Sequence, residues 1–100
     1  MRDLTHKVAW ITGAGTGIGE AGAIALAQAG MNVVISGRRL DKLEAVAAQC
    51  QGLATIEVLD VSSKEDVQAV VDRIVAKFSR IDVMVASAGI NVKERNWHNV

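Results

Sequence analysis

The sequence predicts an α/β fold built on a parallel sheet, and three features of its 100 residues carry this prediction. Short apolar runs alternate with longer helix-like runs as far as position 86. The run 33–35 is continuous and β-branched, which is typical of a strand buried on both faces. A glycine-rich segment joins the first strand to the first helix. Such alternation predicts parallel strands with right-handed crossovers.

The first four elements alternate strand and helix. Strand one is predicted over residues 7–12, and the alanine-rich run 18–29 predicts the first helix, which Gly30 ends. Strand two is predicted over residues 32–36. The second helix is predicted over residues 40–50, because its apolar residues share one face.

Strand three is predicted over residues 54–59. Two capping-box patterns follow, Ser62 with Glu65 and Ser63 with Asp66, and they predict the start of the third helix. The apolar residues of that helix recur at intervals of three and four: Val67, Val70, Val71, Ile74, Val75 and Phe78.

Strand four is predicted over residues 81–86, with Asp82 at its start as a structural residue. A doubly wound sheet places these strands in the order 3-2-1-4. The first two helices then cover one face and the third helix the other, and we do not expect one helix to cover the second face fully. A crevice is expected at the carboxyl ends of strands one and four.

The glycine-rich segment has the spacing of a phosphate-binding loop. Gly13, Gly17 and Gly19 form G-x-x-x-G-x-G between a strand and a helix. Glycine leaves no Cβ between the backbone and a ligand, and a helix N-terminus favours a pyrophosphate. No Gly-Lys-Ser/Thr closes the run, which argues against a P-loop. The alternative is a tight turn in which Gly22 eases the packing of the helix on the sheet.

Segment 12–19 resembles the cofactor loop of the short-chain dehydrogenase/reductase family, and the similarity extends over about residues 7–91. Two further landmarks of that family follow in the same order. Asp60-Val61 comes after the third strand, and segment 86–89 reads Ala-Ser-Ala-Gly where the family usually has Asn-Asn-Ala-Gly. The resemblance implies one NAD(P)-binding domain of the Rossmann type, with residues 1–100 as its N-terminal part.

The resemblance also implies which residues hold the cofactor. The glycine loop would bind the pyrophosphate, Asp60 would accept a hydrogen bond from the adenine amino group, and Ala88 and Gly89 would lie beside the ribose and phosphates. Asp60 has the alternative role of capping the connection to the third helix. The implied residues are Gly13, Gly15, Thr16, Gly17, Ile18, Gly19, Ser36, Arg38, Arg39, Asp60, Val61, Ala88 and Gly89.

The end of strand two favours NADP over NAD. Many NAD-binding proteins of this architecture carry an acid there that holds the ribose 2′-hydroxyl, but by the resemblance Gly37 takes its place. Arg38 follows, and a guanidinium suits a 2′-phosphate. Ser36 is expected to donate a further hydrogen bond. Thr16 takes a position where many NADP-using relatives carry a second basic residue, so NAD is the alternative cofactor.

The resemblance implies an oxidoreductase that moves a hydride between the nicotinamide and an alcohol or carbonyl substrate, as a cytoplasmic homo-oligomer. The family's catalysis uses a serine and a Tyr-x-x-x-Lys pair, but this sequence contains no tyrosine. We therefore expect no catalytic residue in this chain and place the catalytic residues after Val100 in a longer enzyme. The alternative is a non-catalytic dinucleotide-binding module.

The composition excludes several classes of partner. Eleven acidic residues balance eleven lysines and arginines, which argues against nucleic acid as a general partner. No apolar run reaches the roughly 20 residues that span a membrane. Cys50 is the single cysteine and has no disulfide partner in the chain, which is compatible with a reducing cytoplasm. His6 and His98 lack the spacing of zinc ligands, and Trp10 is assigned to the core.

Overall fold

The computed structural model describes residues 6–13, 17–60 and 62–86. Within these ranges strands and helices alternate along the chain, and all strands pair in parallel in the order β3-β2-β1-β4, as predicted. The elements are β1 (Val8–Thr12), α1 (Gly17–Gln28), β2 (Asn32–Gly37), α2 (Leu40–Ala47), β3 (Ala54–Val58), α3 (Lys64–Phe78) and β4 (Val83–Ala86).

The end of α2 differs most from its predicted boundary. The helix ends at Ala47 rather than at position 50, because the chain then turns through positive φ angles at Gln51 (57°) and Gly52 (80°). Cys50 lies in this turn and is fully buried. Burial raises the pKa of its thiol.

The start of β4 also differs from the prediction, by two residues. Asp82 precedes the strand: its backbone N–H donates to the Val8 carbonyl at 2.8 Å, and its carboxylate accepts from the Val8 N–H at 2.8 Å. The side chain of Arg80 also donates to this carboxylate. Asp82 is therefore a structural residue at the amino ends of β1 and β4, as expected.

Gly30 ends α1 in the predicted way. Its φ is 97°, its N–H donates to the Ala27 carbonyl, and the Met31 N–H donates to the Leu26 carbonyl. These bonds form a Schellman motif, in which the left-handed position favours glycine.

Helices α1 and α2 pack on one face of the sheet and α3 packs on the other. The expectation that one helix would leave the second face partly open is wrong at β2, because Val34 there has no exposed surface. The fully buried indole of Trp10 lies in the same cluster as Val34 and fills much of the layer under α3. The α3 face of the sheet is less completely covered at β4, where Met84 is only half-buried.

Candidate dinucleotide-binding site

The carboxyl ends of the described strands meet at one edge of the sheet. Thr12 at the end of β1 pairs with Ser36 of β2 and with Ala86 of β4. Beside them, Gly37 of β2 pairs with Val58 of β3. The direction of winding reverses between β1 and β4, which is where ligands bind in sheets of this kind.

The glycines after β1 leave room for a ligand at the start of α1. Gly13 has a φ of 72°, a left-handed conformation that favours glycine. Gly17 is exposed, and a Cβ added to it would meet no heavy atom of the described residues within 4 Å. Gly19 is buried in the first turn of α1. A Cβ added at Gly22 would also meet no heavy atom of the described residues within 4 Å, so the packing of α1 on the sheet does not require glycine at that position.

Ser36 has a different role from the one expected of it. Its side chain is fully buried on the α3 side of the sheet, and its Oγ accepts a hydrogen bond from Trp10 Nε1 at 2.9 Å. The observed β2 continues through Gly37, so Ser36 lies inside the strand rather than at its exposed end. This geometry does not fit a hydrogen bond from Ser36 to a 2′-phosphate, and the site proposed below leaves Ser36 out.

Two arginines follow β2, and both are exposed. Arg39 precedes α2 and forms an exposed ion pair with Asp41 at 3.4 Å. Arg38 forms no hydrogen bond or ion pair with any described residue, so its guanidinium is available to a ligand. The positive charge expected beside β2 is therefore at the carboxyl edge of the sheet.

Asp60 follows β3, and its carboxylate is held by the next turn of the chain. Oδ1 accepts hydrogen bonds from the Ser62 N–H at 3.0 Å and the Ser62 hydroxyl at 2.7 Å. These bonds, together with the charge of Arg38, lower the pKa of the Asp60 carboxyl below its ordinary value. Asp60 thus caps the connection to α3, as its alternative role predicted, whereas the helix itself is capped by Ser63, whose Oγ accepts from the Asp66 N–H.

Sequence reasoning missed the role of Ser62 in holding Asp60. The signal was present, because an aspartate readily accepts hydrogen bonds from the residue two positions later in an Asx turn. The spacing of Ser62 and Glu65 instead favoured a capping box between these two residues.

Five of the residues that the resemblance implies lie outside the described ranges: Gly15, Thr16, Val61, Ala88 and Gly89. Within the described ranges, no group of three or more His, Cys, Asp or Glu side chains is arranged to hold a metal ion. In the same part of the chain, no helix combines the length and apolar character that crossing a membrane requires.

The described residues fit the adenosine and diphosphate parts of a dinucleotide. The start of α1 offers backbone N–H groups and a positive dipole end to an anion, and a Cβ added at Gly17 would meet no heavy atom of the described residues within 4 Å. Ile18 beside it is 79% exposed, an apolar surface that a ligand at this edge would shield from water. Arg38 and Asp60 add one cation and one hydrogen-bond acceptor at the neighbouring strand ends.

Comparison with known proteins agrees with this geometry. A model of the short chain dehydrogenase family matches residues 7–100. An uncharacterized oxidoreductase of Staphylococcus aureus is 42% identical over 90 residues, which cover 89% of this chain and 39% of the relative. A 3-oxoacyl-[acyl-carrier-protein] reductase of Thermotoga maritima is 38% identical over 107 residues, with 97% and 44% coverage. The chain thus spans about two fifths of the length of these relatives.

Solved structures share the fold. A metagenomic short-chain oxidoreductase in complex with NADP superposes with a TM-score of 0.84 at 34% identity, covering 89% of this chain and 42% of that one. A 3-ketoacyl-(acyl-carrier-protein) reductase of Brucella melitensis complexed with NADH gives a TM-score of 0.80 at 40% identity, with 95% and 39% coverage. With the family match over nearly its whole length, this chain belongs to the short-chain dehydrogenase/reductase family.

Proposed function

We propose that the protein is an NADP-dependent oxidoreductase that transfers a hydride between the nicotinamide and an alcohol or carbonyl substrate. This chain supplies the cofactor-binding half. The observation that carries the choice of NADP is the exposed guanidinium of Arg38 directly after β2, which pairs with no described residue, at a strand end where Gly37 supplies no acid. The similarity to an oxidoreductase solved with NADP supports the proposal, and NAD is the alternative cofactor.

Each part of the proposed site has a separate task. The N–H groups at the start of α1 bind the diphosphate, and Arg38 binds the 2′-phosphate through charge-assisted hydrogen bonds. Asp60 accepts a hydrogen bond from the adenine amino group. The bound nicotinamide supplies the hydride donor or acceptor. As the resemblance implies, the protein is proposed to be a cytoplasmic homo-oligomer that takes a small-molecule substrate rather than nucleic acid or a membrane.

Arg38→Ala tests the choice of NADP. A hydrogen bond to a charged group contributes roughly 1.5–3 kcal/mol, so we expect about a ten- to hundredfold loss of affinity for NADP and little change for NAD. Calorimetric titration with both cofactors measures this. Arg39→Ala serves as a comparison, because Arg39 already pairs with Asp41, and its loss should be smaller. Equal losses for NADP and NAD in Arg38→Ala, or an unmutated protein that prefers NAD, would contradict the proposal.

Gly37→Asp tests the same choice from the opposite side. A Cβ at Gly37 would lie 3.5 Å from Leu43 Cδ2, an ordinary contact, so the fold should accept the substitution. The new carboxylate should hold the ribose 2′-hydroxyl and repel a 2′-phosphate, which shifts the preference toward NAD. Gly37→Asn is the matched control, because it adds similar bulk without charge. A preference that is the same in Gly37→Asp and Gly37→Asn would count against an electrostatic choice at this position.

Hydride transfer itself is tested with the longer enzyme in which this chain is the cofactor-binding half, by the change in NADPH absorbance with a panel of alcohols and carbonyl compounds. Turnover of any of them supports the oxidoreductase. Tight NADP binding without turnover of any would instead support the non-catalytic dinucleotide-binding module.

A further inference from the structure

We propose that Asp60 sets the strength of the NADP preference by acting on Arg38. The negative charge of Asp60 attracts the guanidinium, so a 2′-phosphate must compete with Asp60 for Arg38. Asp60 is then a specificity-determining residue as well as an adenine acceptor. The inference rests on the proposed function, because it concerns the same cofactor site.

The geometry brings the two charges to one place. In the parallel pairing of β2 with β3, Gly37 lies opposite Val58, and the Leu59 N–H donates to the Gly37 carbonyl at 2.8 Å. Arg38 and Asp60 therefore leave adjacent strands at the same edge, each within two residues of this pairing. Both are exposed, and no direct ion pair joins them, so any effect of one charge on the other acts through space.

The carboxylate of Asp60 is fixed as a charge beside this guanidinium. The two hydrogen bonds from Ser62 hold Oδ1 in place, and they favour the ionised form. The pKa of the Asp60 carboxyl is lowered chiefly by these bonds from Ser62 and, to a smaller extent, by the charge of Arg38. Arg39 differs, because its charge is already offset by a direct pair with Asp41.

This arrangement affects two cofactors unequally. A 2′-phosphate carries one to two negative charges near pH 7. To bind Arg38, it must compete with the attraction between Arg38 and the carboxylate of Asp60. A 2′-hydroxyl carries no charge, so it does not compete with Asp60 for Arg38. The hydrogen bond from the adenine amino group needs only an acceptor oxygen, which an asparagine amide also provides. Removing the charge while keeping the oxygen should therefore favour ligands with a 2′-phosphate.

Asp60→Asn tests this with two probes that differ only in the 2′-phosphate, 5′-AMP and adenosine 2′,5′-bisphosphate. Two unit charges about 4 Å apart interact by about 1 kcal/mol in bulk water, and Arg38 and Asp60 form no direct pair, so we expect a rise of less than about fivefold in the affinity ratio in favour of the bisphosphate. The rise should disappear near 1 M salt, where charges are screened within about 3 Å. The measurement is calorimetric titration, which does not depend on turnover.

Asp41→Asn is the matched control, because it removes the same charge from an exposed acid near the same strand end that pairs with Arg39 instead. It should leave the affinity ratio unchanged. A second background, Arg38→Met, tests whether Asp60 acts through the guanidinium: adding Asp60→Asn there should leave the ratio unchanged. Since Ser63 caps α3, Asp60→Asn keeps that cap, and a thermal melt checks the fold.

The outcomes separate this inference from the proposed function. An unchanged ratio in Asp60→Asn, while Arg38→Ala still selectively loses the bisphosphate, would overturn the role of Asp60 and leave the NADP assignment standing. A ratio that rises equally in the Arg38→Met background would overturn the action through Arg38. If Arg38→Ala weakens the binding of both probes equally, the assignment of NADP is contradicted, and the inference about Asp60 that rests on it is overturned as well.

Discussion

At the scale of single residues, Gly17 is exposed, and a Cβ added to it would meet none of the described residues within 4 Å. Gly17→Val should abolish dinucleotide binding, because a branched side chain would fill the space that the diphosphate needs. The same open space means that the fold should tolerate the change. Fluorescence titration with NADPH and a thermal melt measure the two effects.

Gly22→Ala provides the control for Gly17→Val in the same helix. Alanine at this position should raise the free energy of unfolding by about 0.5–1 kcal/mol through helix propensity and leave binding intact. If Gly17→Val bound NADPH as well as Gly22→Ala does, the start of α1 would not be the diphosphate site.

Ser36 and Arg38 show what a sequence can and cannot establish about individual side chains. The exposed guanidinium of Arg38 follows from its place after a strand, and the structure confirms that exposure. The burial of Ser36 depended on β2 running one residue longer than predicted and on Trp10 providing a donor from the neighbouring strand. Neither a strand end nor a contact 26 residues away in sequence can be derived from a local pattern.

At the scale of elements, the start of α3 depends on one serine of two. Ser63→Ala should lower the free energy of unfolding by about 1 kcal/mol, because the Asp66 N–H loses the side chain that caps it. Denaturant unfolding measures the change. Ser62→Ala is the control, because Ser62 bonds to Asp60 and not to the helix, so its effect on stability should be smaller. Equal losses in the two variants would contradict the assignment of the cap.

The order of the elements was predictable and some of their ends were not. Alternating apolar runs predicted a parallel sheet with right-handed crossovers, and the doubly wound arrangement of dinucleotide-binding sheets supplied the order β3-β2-β1-β4. Both serines before α3 satisfied the capping pattern, and only the competing bond to Asp60 decided between them. The end of α2 was missed because alanine at position 48 would suit a longer helix, whereas the positive φ at Gln51 is set by the turn to β3.

At the scale of the whole molecule, Asp82 links the amino ends of β1 and β4 and makes stability depend on pH. Partial burial would raise the pKa of its carboxyl, but hydrogen bonds from Arg80 and Val8 and the charge of Lys7 outweigh burial and lower it below 3.8. A lowered pKa means that the ionised group stabilises the fold above about pH 4. The contribution is lost as the pH falls through the pKa of the folded state.

Asp82→Asn should therefore lower the free energy of unfolding by about 1 kcal/mol at pH 7, a modest value because Arg80 is partly exposed. The difference between the variant and the unmutated protein should be smaller near pH 2, because protonation removes the charge of Asp82. Urea unfolding at both pH values measures it. Asp72→Asn, on the exposed face of α3, is the control and should show little difference at either pH. A difference of the same size at low pH would mean that the charge of Asp82 is not its source.

The linkage at Asp82 and the proposed cofactor site lie at opposite ends of the same parallel strands. The Asp82 linkage is thus separate from the side chains that we propose to choose the ligand. Arg38 is exposed, and Gly37 has room for a side chain. Over evolutionary time, a lineage with this architecture can exchange one nicotinamide cofactor for the other by substitutions at the rim, without first passing through a protein that no longer folds.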